Sequence, residues 1–138
     1  MSVLHHTRRQ TGEAGWVQEL DELLAASDVL SVHVPLSEST RGLIDRRRIA
    51  LMRPSAVLVN TARGAVVDED ALAEALERGR LFAAGLDVYE DEPVVSARLL
   101  AAPRTVLLPH IGSATQRARD AMLRGAAEKV AAFFAERR

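Results

Sequence analysis

Short apolar runs rich in Val, Leu and Ala alternate along the chain with stretches in which apolar residues recur at helical spacing. The first pattern is typical of buried strands, and the second is typical of amphipathic helices. The runs predict strands at residues 3–6, 29–34, 56–60, 83–88 and 106–108. The periodic stretches predict helices at residues 16–24, 43–52, 69–79 and 115–135. This alternation predicts an α/β domain with a doubly wound parallel sheet.

Polar residues and glycines mark the predicted ends of these elements. Asp68 precedes a helical pattern whose first turn holds Glu69 and Asp70, so it is a predicted N-cap, and Gly79 is the predicted stop. Residues 56–60 form a continuous apolar run, which is typical of a strand buried on both faces of a parallel sheet. The acidic, proline-containing stretch between residues 88 and 106 is predicted to be an irregular loop.

Composition and charge exclude several classes of protein. The 138 residues suit one domain, and a formal net charge of −1 offers no electrostatic footprint for nucleic acid or an anionic membrane. The absence of cysteine excludes disulfides, thiolate metal ligands and cysteine nucleophiles, and no metal site is expected. No signal-like or membrane-spanning stretch is present, so we expect a cytoplasmic protein that binds a small molecule.

Chemically active side chains follow the predicted strands. In open α/β sheets, ligands bind at the carboxyl ends of the strands, so these residues are expected to share one edge. Taken alone, a histidine is more often a surface or core residue than a catalytic one, but together these residues indicate a site. They are Thr7, Arg8 and Arg9, then Pro35, then Thr61, Ala62, Arg63 and Gly64, then Asp87, Glu90, Asp91 and Glu92, and finally His110.

Three segments resemble the signatures of the D-isomer-specific 2-hydroxyacid dehydrogenases. They are VNTARGAVVDEDAL (residues 59–72), GLDVYEDEP (residues 85–93) and LPHIGSAT (residues 108–115). The segment SDVLSVHVPLSESTRGLID (residues 27–45) extends the resemblance over nearly the whole chain. It implies a Rossmann-like NAD(P)-binding domain and hydride transfer between a small 2-hydroxy acid and its 2-keto acid. The glyoxylate or hydroxypyruvate reductase branch is the expected one, with phosphoglycerate dehydrogenase as the nearest alternative.

The resemblance also implies three catalytic roles. Arg63 would bind the substrate carboxylate and polarise the keto oxygen, for which a planar guanidinium suits better than an ammonium. His110 would donate a proton to the carbonyl oxygen as hydride arrives, and would accept it in the reverse direction. Glu92 would hold the imidazole in orientation and favour its protonated form. Histidine suits this role because it is the side chain that titrates near neutral pH.

Cofactor contacts are carried over from the same resemblance. Val34 and Pro35 would line the adenosine side, and Thr61 and Ala62 would approach the nicotinamide riboside. Asp87 would contact the nicotinamide or its ribose, beside Arg63 and His110. Gly112 and Ser113 would contact the carboxamide end, although Gly112 could equally be a simple turn glycine.

A basic cluster bears on the choice of cofactor. Residues 7–9 read Thr-Arg-Arg, where a dinucleotide fold usually carries an acid that hydrogen-bonds the ribose 2′-hydroxyl. Without that carboxylate, and with two cations, Thr7, Arg8 and Arg9 favour NADP over NAD. The alternative is a solvated basic turn.

No G-x-G-x-x-G motif occurs in the sequence, and Gly12 and Gly15 have the wrong spacing for one. If residues 3–6 are the second strand of the fold, its first strand, the glycine-rich turn and the substrate domain are missing. We therefore expect residues 1–138 to be a partial dinucleotide-binding domain that carries the catalytic trio without binding dinucleotide tightly. The runs at 3–6 and 56–60 would then lack a shared neighbour.

Two other functions stay open, a non-catalytic binding module on the same fold and a truncated, inactive fragment. In the full-length form a homodimer is expected, because dimers are common in families of this resemblance and helix 115–135 has apolar surface to bury. Its apolar residues include Met122, Ala126, Val130 and Phe133.

Overall fold

A computed structural model describes residues 1–135 of the chain. Four parallel strands form one sheet in the order β1-β2-β3-β4. The strands are β1 (Val29–Val32), β2 (Val57–Asn60), β3 (Ala83–Leu86) and β4 (Thr105–Leu107). The helices are α1 (Leu20–Ala26), α2 (Arg46–Ile49), α3 (Glu69–Glu77), α4 (Ala97–Ala101) and α5 (Gln116–Ala135), with a 3₁₀ turn at Gly64–Val66. The predicted α/β class and parallel sheet are confirmed, while the last three residues of the predicted 1–138 unit lie outside the described part.

The hydrophobic core lies between one face of the sheet and helices α1 to α4, which pack against one another in sequence order. Leu58 in the middle of β2 is fully buried, as are Leu72 and Leu76 on α3. Alternate residues along each strand point to opposite faces of the sheet, and those on the face away from the core are exposed or half-buried. The prediction that residues 56–60 are buried on both faces is therefore wrong for the described residues: Leu58 is buried, but Val57 and Val59 are only half-buried.

Residues 3–6 are not a strand of this sheet. His5 forms a single parallel bridge with Trp16, and the side chains of Val3 and Leu4 are exposed. Without burial of its apolar side chains, this run gains little from pairing with a sheet. The predicted neighbour relation is also wrong, since β2 pairs on both sides with β1 and β3, and β1 is the strand at the edge.

Helix boundaries follow local capping more closely than apolar spacing. The helix predicted from residue 16 begins at Leu20, because Gly15 has a φ of 87° and Trp16 is held in the bridge. Helix α4 lies inside the predicted irregular loop, and Ser96 caps it by accepting a hydrogen bond from Leu99 N–H. The strands predicted at 29–34 and 83–88 each end two residues early, at Val32 and Leu86.

The caps predicted for α3 are confirmed. The Asp68 carboxylate accepts a hydrogen bond from Ala71 N–H at 2.8 Å, and Gly79 has a φ of 63° beyond the end of the helix. Within residues 1–135, no helix combines the length and the apolar character that crossing a membrane requires.

Candidate active site

The parallel register brings the carboxyl ends of the strands to one edge of the sheet. Asn60 at the end of β2 pairs with Leu86 of β3, and Leu86 pairs with Leu107 of β4. Beyond these positions the chain forms an open pocket of roughly 530 Å³. The pocket is lined by Leu36, Arg63, Gly64, Ala65, Tyr89, Glu90, Asp91, Glu92 and His110. The three predicted catalytic residues therefore share one pocket.

The turn that presents Arg63 is built by a buried amide. Asn60 Oδ1 accepts the N–H of Ala62, and Asn60 Nδ2 donates to the carbonyl of Arg63, each at 3.0 Å. These two bonds fix the turn, because Asn60 is 1% exposed and its rotamer is held by the core. The Arg63 side chain is exposed and donates to the Ala62 carbonyl at 2.6 Å.

Gly64 allows two loops to touch at the base of the pocket. A Cβ atom on this residue would lie 1.9 Å from the Tyr89 carbonyl carbon and 2.3 Å from Glu90 N. The loop after β3 therefore packs directly on the backbone of the turn after β2. The close approach brings Arg63 beside the segment that carries Glu92.

His110 and Glu92 form the central pair of the site. His110 Nδ1 lies 2.7 Å from Glu92 Oε2, and Glu92 Oε1 accepts the N–H of Tyr89 at 2.9 Å. The hydrogen bond with His110 lowers the pKa of the Glu92 carboxyl, and the Tyr89 N–H bond lowers it further. An ionised Glu92 at Nδ1 orients the ring and leaves Nε2 to face a ligand.

Asp87 holds the backbone that follows His110. It is 4% exposed, and its two carboxylate oxygens accept the N–H groups of Ile111 and Gly112, each at 2.7 Å. A Cβ atom on Gly112 would lie 2.8 Å from Asp87 Oδ2, so the close approach requires glycine. Gly112 therefore packs closely on Asp87, and its predicted contact with the carboxamide end stays a prediction.

One buried carboxylate lies behind the pocket loop and holds its backbone. Glu69, at the start of α3, is 8% exposed, and its Oε1 accepts the N–H of Glu90 at 2.6 Å. Burial raises the pKa of Glu69, and the charges of Glu90, Asp91 and Asp70 raise it further. Glu90 itself pairs with Arg41 at 4.0 Å.

Of the predicted cofactor residues, Arg63 and His110 line the pocket and the others do not. Thr7, Arg8 and Arg9 are exposed, and Arg8 donates to Ser39 Oγ at 3.2 Å in the loop after β1. Val34 is half-buried, and the Pro35 carbonyl accepts from the Thr40 hydroxyl. Ala62 is half-buried, and Thr61 and Ser113 are exposed.

Sequence reasoning did not assign a role at the site to several residues. Among them are Leu36, Ala65 and Tyr89, which line the pocket, Asn60 in the turn before Arg63, Ser39 beside Arg8, and Glu69 behind the loop. Tyr89 carried a usable signal, since it is the chain's one tyrosine and lies within the GLDVYEDEP segment.

Residues 1–112 match the profile of the family described as D-isomer specific 2-hydroxyacid dehydrogenase, NAD binding domain. The chain belongs to this family. The chain is 51% identical over 125 residues to glyoxylate/hydroxypyruvate reductase B of Pectobacterium atrosepticum, with 86% of the chain and 39% of that relative covered. It is 41% identical over 138 residues to glyoxylate reductase of Thermococcus litoralis, with 96% and 42% covered.

Solved structures of the family have the same fold. An NADPH-dependent glyoxylate/hydroxypyruvate reductase from Sinorhizobium meliloti, solved with NADP and malonate, superposes with a TM-score of 0.90 at 38% identity, covering 96% of this chain and 42% of that one. The D-lactate dehydrogenase of Aquifex aeolicus, complexed with NAD and lactic acid, gives 0.85 at 35% identity, covering 99% and 47%. The chain thus spans about two fifths of the length of the curated relatives cited.

Two side-chain hydroxyls near this edge of the sheet are open to a ligand. The hydroxyls of Thr61 and Ser113 are exposed and have no hydrogen-bond partner within residues 1–135. Thr61 directly follows β2, and Ser113 lies in the connection between β4 and α5, on the side of the sheet where ligands of α/β domains bind. The predicted family and its Rossmann-like architecture are confirmed.

Proposed function

We propose that the chain contributes the catalytic residues of a reductase that converts a small 2-keto acid into the 2-hydroxy acid with NAD(P)H. The observation that supports this most directly is the shared pocket of Arg63, Glu92 and His110, with His110 Nδ1 held at 2.7 Å from Glu92. Glyoxylate and hydroxypyruvate are the proposed substrates, because several similar curated proteins carry those names.

Each of the three residues has a distinct task in this proposal. The exposed Arg63 guanidinium binds the substrate carboxylate through paired N–H donors and polarises the adjacent keto oxygen. When bound, the reduced nicotinamide supplies the hydride that reduces the keto carbon. His110 donates the Nε2 proton to the carbonyl oxygen, so that the product carries a neutral hydroxyl group instead of an alkoxide. Glu92 holds the ring in orientation through the contact at Nδ1.

NADP is the proposed cofactor, with NAD as the alternative. Arg8 donates to Ser39 Oγ at 3.2 Å, and Thr7 and Arg9 are the sequence neighbours of Arg8. A guanidinium with neighbouring hydroxyls suits a phosphate dianion, and no carboxylate from residues 7–9 opposes it. The Sinorhizobium meliloti relative is NADPH-dependent, which supports the same choice.

We further propose that residues 1–138 are one part of a dinucleotide-binding domain in a cytoplasmic enzyme that is a homodimer in its full-length form. The match to an NAD binding domain and the open edge of β1 support the first statement. The exposed side chains of Met122, Leu123 and Val130 on α5 support a partner surface.

The test is substrate-dependent oxidation of NADPH by the 138-residue chain, with cofactor up to millimolar concentration. Turnover with glyoxylate or hydroxypyruvate that is lost in His110→Ala supports the reductase proposal. No turnover at saturating cofactor would contradict it for this chain and favour a binding module or an inactive fragment. Titration with NADPH tests the domain proposal separately, because micromolar affinity would show that the chain binds dinucleotide without further segments.

A further inference from the structure

We propose that Tyr89 is a positioning residue for the Glu92–His110 pair, because this one buried residue contacts both segments that carry the pair. The inference rests on the proposed function for its catalytic meaning. The contacts themselves are features of the fold and can be tested without turnover.

Tyr89 reaches the His110 segment through its side chain. The Tyr89 hydroxyl donates to the Leu108 carbonyl at 2.8 Å, two residues before His110. The Leu86 carbonyl lies farther away, at 3.4 Å from the same hydroxyl. Burial raises the pKa of the Tyr89 phenol, and the charges of Asp87 and Glu69 raise it further, so the hydroxyl stays protonated as a donor.

Tyr89 reaches Glu92 through its backbone. Its N–H donates to Glu92 Oε1, while Glu92 Oε2 faces His110 Nδ1. A carboxylate held at one oxygen by a backbone donor presents the other oxygen in a fixed direction. Tyr89 therefore holds Glu92 directly through its N–H, and holds the His110 segment through its hydroxyl bond to the Leu108 carbonyl, two residues before His110.

The surroundings keep Tyr89 itself in place. Its side chain is 7% exposed, and its carbonyl rests against the backbone of Gly64. The next residue, Glu90, donates its N–H to the buried Glu69 carboxylate. The loop after β3 is thus fixed by two carboxylates at successive N–H groups, and the Tyr89 ring extends from this fixed loop to the end of β4.

The Tyr89 hydroxyl is the group that holds the His110 segment. Removing it frees the Leu108 carbonyl, which lies in an exposed residue and can turn to water. His110 follows in a left-handed conformation with a φ of 54°, so a shift at Leu108 moves its ring relative to Glu92. The apolar packing of the ring is retained in Tyr89→Phe.

The experiment compares Tyr89→Phe with Thr105→Val by NMR in the 138-residue protein. Thr105, in β4, donates its hydroxyl to the Ala102 carbonyl at 3.3 Å and has no hydrogen bond to either member of the pair. Carbon-13 titration follows the pKa of Glu92, and the proton on His110 Nδ1 reports the hydrogen bond. In Tyr89→Phe we expect the pKa of Glu92 to rise toward its ordinary value and the Nδ1 proton to move upfield. Thr105→Val is expected to change neither.

Kinetics provide a second readout if the proposed reaction is observed. Misplacing a catalytic group lowers kcat more than substrate binding, so kcat is expected to fall by about tenfold with little change in KM. Thr105→Val is expected to leave kcat unchanged. An unchanged Glu92 pKa and an unchanged Nδ1 proton in folded Tyr89→Phe would overturn the inference. Absence of turnover in the wild type would contradict the proposed function and leave the NMR result decisive for Tyr89.

Discussion

His110 occupies a backbone conformation that is unfavourable for residues other than glycine. Its φ of 54° lies in the left-handed region, where a residue with a Cβ atom loses about 1 kcal/mol or more. Asp87 offsets this cost by accepting the next two backbone N–H groups with its two oxygens. The buried Asp87 carboxylate therefore stabilises the backbone turn that presents the imidazole.

The close contact of Gly112 with Asp87 gives a matched glycine test. Gly112→Ala places a methyl group 2.8 Å from Asp87 Oδ2, whereas the same change at Gly125 in α5 meets no atom within 4 Å. We expect Gly112→Ala to lose about 1–3 kcal/mol of unfolding free energy. Gly125→Ala should gain up to about 1 kcal/mol from helix propensity. Chemical denaturation measures both, and equal effects would show that the loop adapts freely.

The lowered pKa of Glu92 predicts a pH-dependent contribution to stability. A carboxyl whose pKa is lower in the folded state stabilises the fold above its unfolded pKa, and this is lost as pH falls through the folded pKa. His110→Gln removes the largest cause of the shift. We expect it to be less stable than wild type by about 0.2–1 kcal/mol at neutral pH, with the difference shrinking at low pH. Thermal melts at several pH values measure this, and a difference independent of pH would contradict it.

The three central residues of the candidate site could be predicted from the sequence, because the family's signature segments contain Arg63, Glu92 and His110. The structure confirms that these three share one pocket. The supporting contacts of Tyr89 and Glu69 could not be predicted. They depend on the approach of the Tyr89 backbone to Gly64, which joins segments that are distant in sequence.

At the scale of elements, helix α3 connects the core to the pocket loop. Its cap Asp68 and its buried leucines fix the helix, and Glu69 in its first turn accepts the Glu90 N–H. The Glu69 carboxylate is partly desolvated in this position, and burial therefore raises its pKa.

Glu69→Gln should change how stability depends on pH. A carboxyl whose pKa is raised by folding contributes stability below its unfolded pKa, and this is lost as pH rises through the folded pKa. The glutamine side chain keeps an acceptor oxygen for Glu90 N–H and cannot ionise. We therefore expect the stability of Glu69→Gln relative to wild type to increase with pH across this range and then level off. Denaturation series at matched ionic strength measure it, and a constant difference would refute the expectation.

Elements with caps or continuous apolar runs were predictable from the sequence, and those that depend on neighbours were not. The Asp68 cap and the strand ending at Asn60 agree with their patterns. Residues 3–6 have a strand-like pattern but bury no apolar face, so they form only the bridge at His5. Helix α4 was missed because it has five residues, and its Ser96 cap was the available signal.

At the scale of the whole molecule, packing is strongly one-sided. Helices α1 to α4 cover one face of the sheet, while α5 has no buried residue among those described. Isolated helices are marginal in water unless an apolar face is packed. The stability of the 138-residue chain therefore lies in β1 to β4 and the helices that cover them.

Hydrogen exchange should reveal this distribution directly. We expect the amides of α5 to exchange at least about tenfold faster than those of α3, because α5 opens without exposing a core. Exchange mass spectrometry compares the two helices in one sample, with β2 as the reference for global opening. Equal protection of α5 and β2 would show that another surface covers α5 in solution.

The parallel alignment of β3 and β4 has a consequence for the chemistry of the pair. Glu92 follows β3 and His110 follows β4, so the 2.7 Å between them depends on which residues of the two strands lie side by side. Sliding β4 by one residue would carry His110 about 3.3 Å along the strand, farther than the length of that hydrogen bond. The ladder that pairs Leu86 with Leu107 therefore sets the distance between Glu92 and His110.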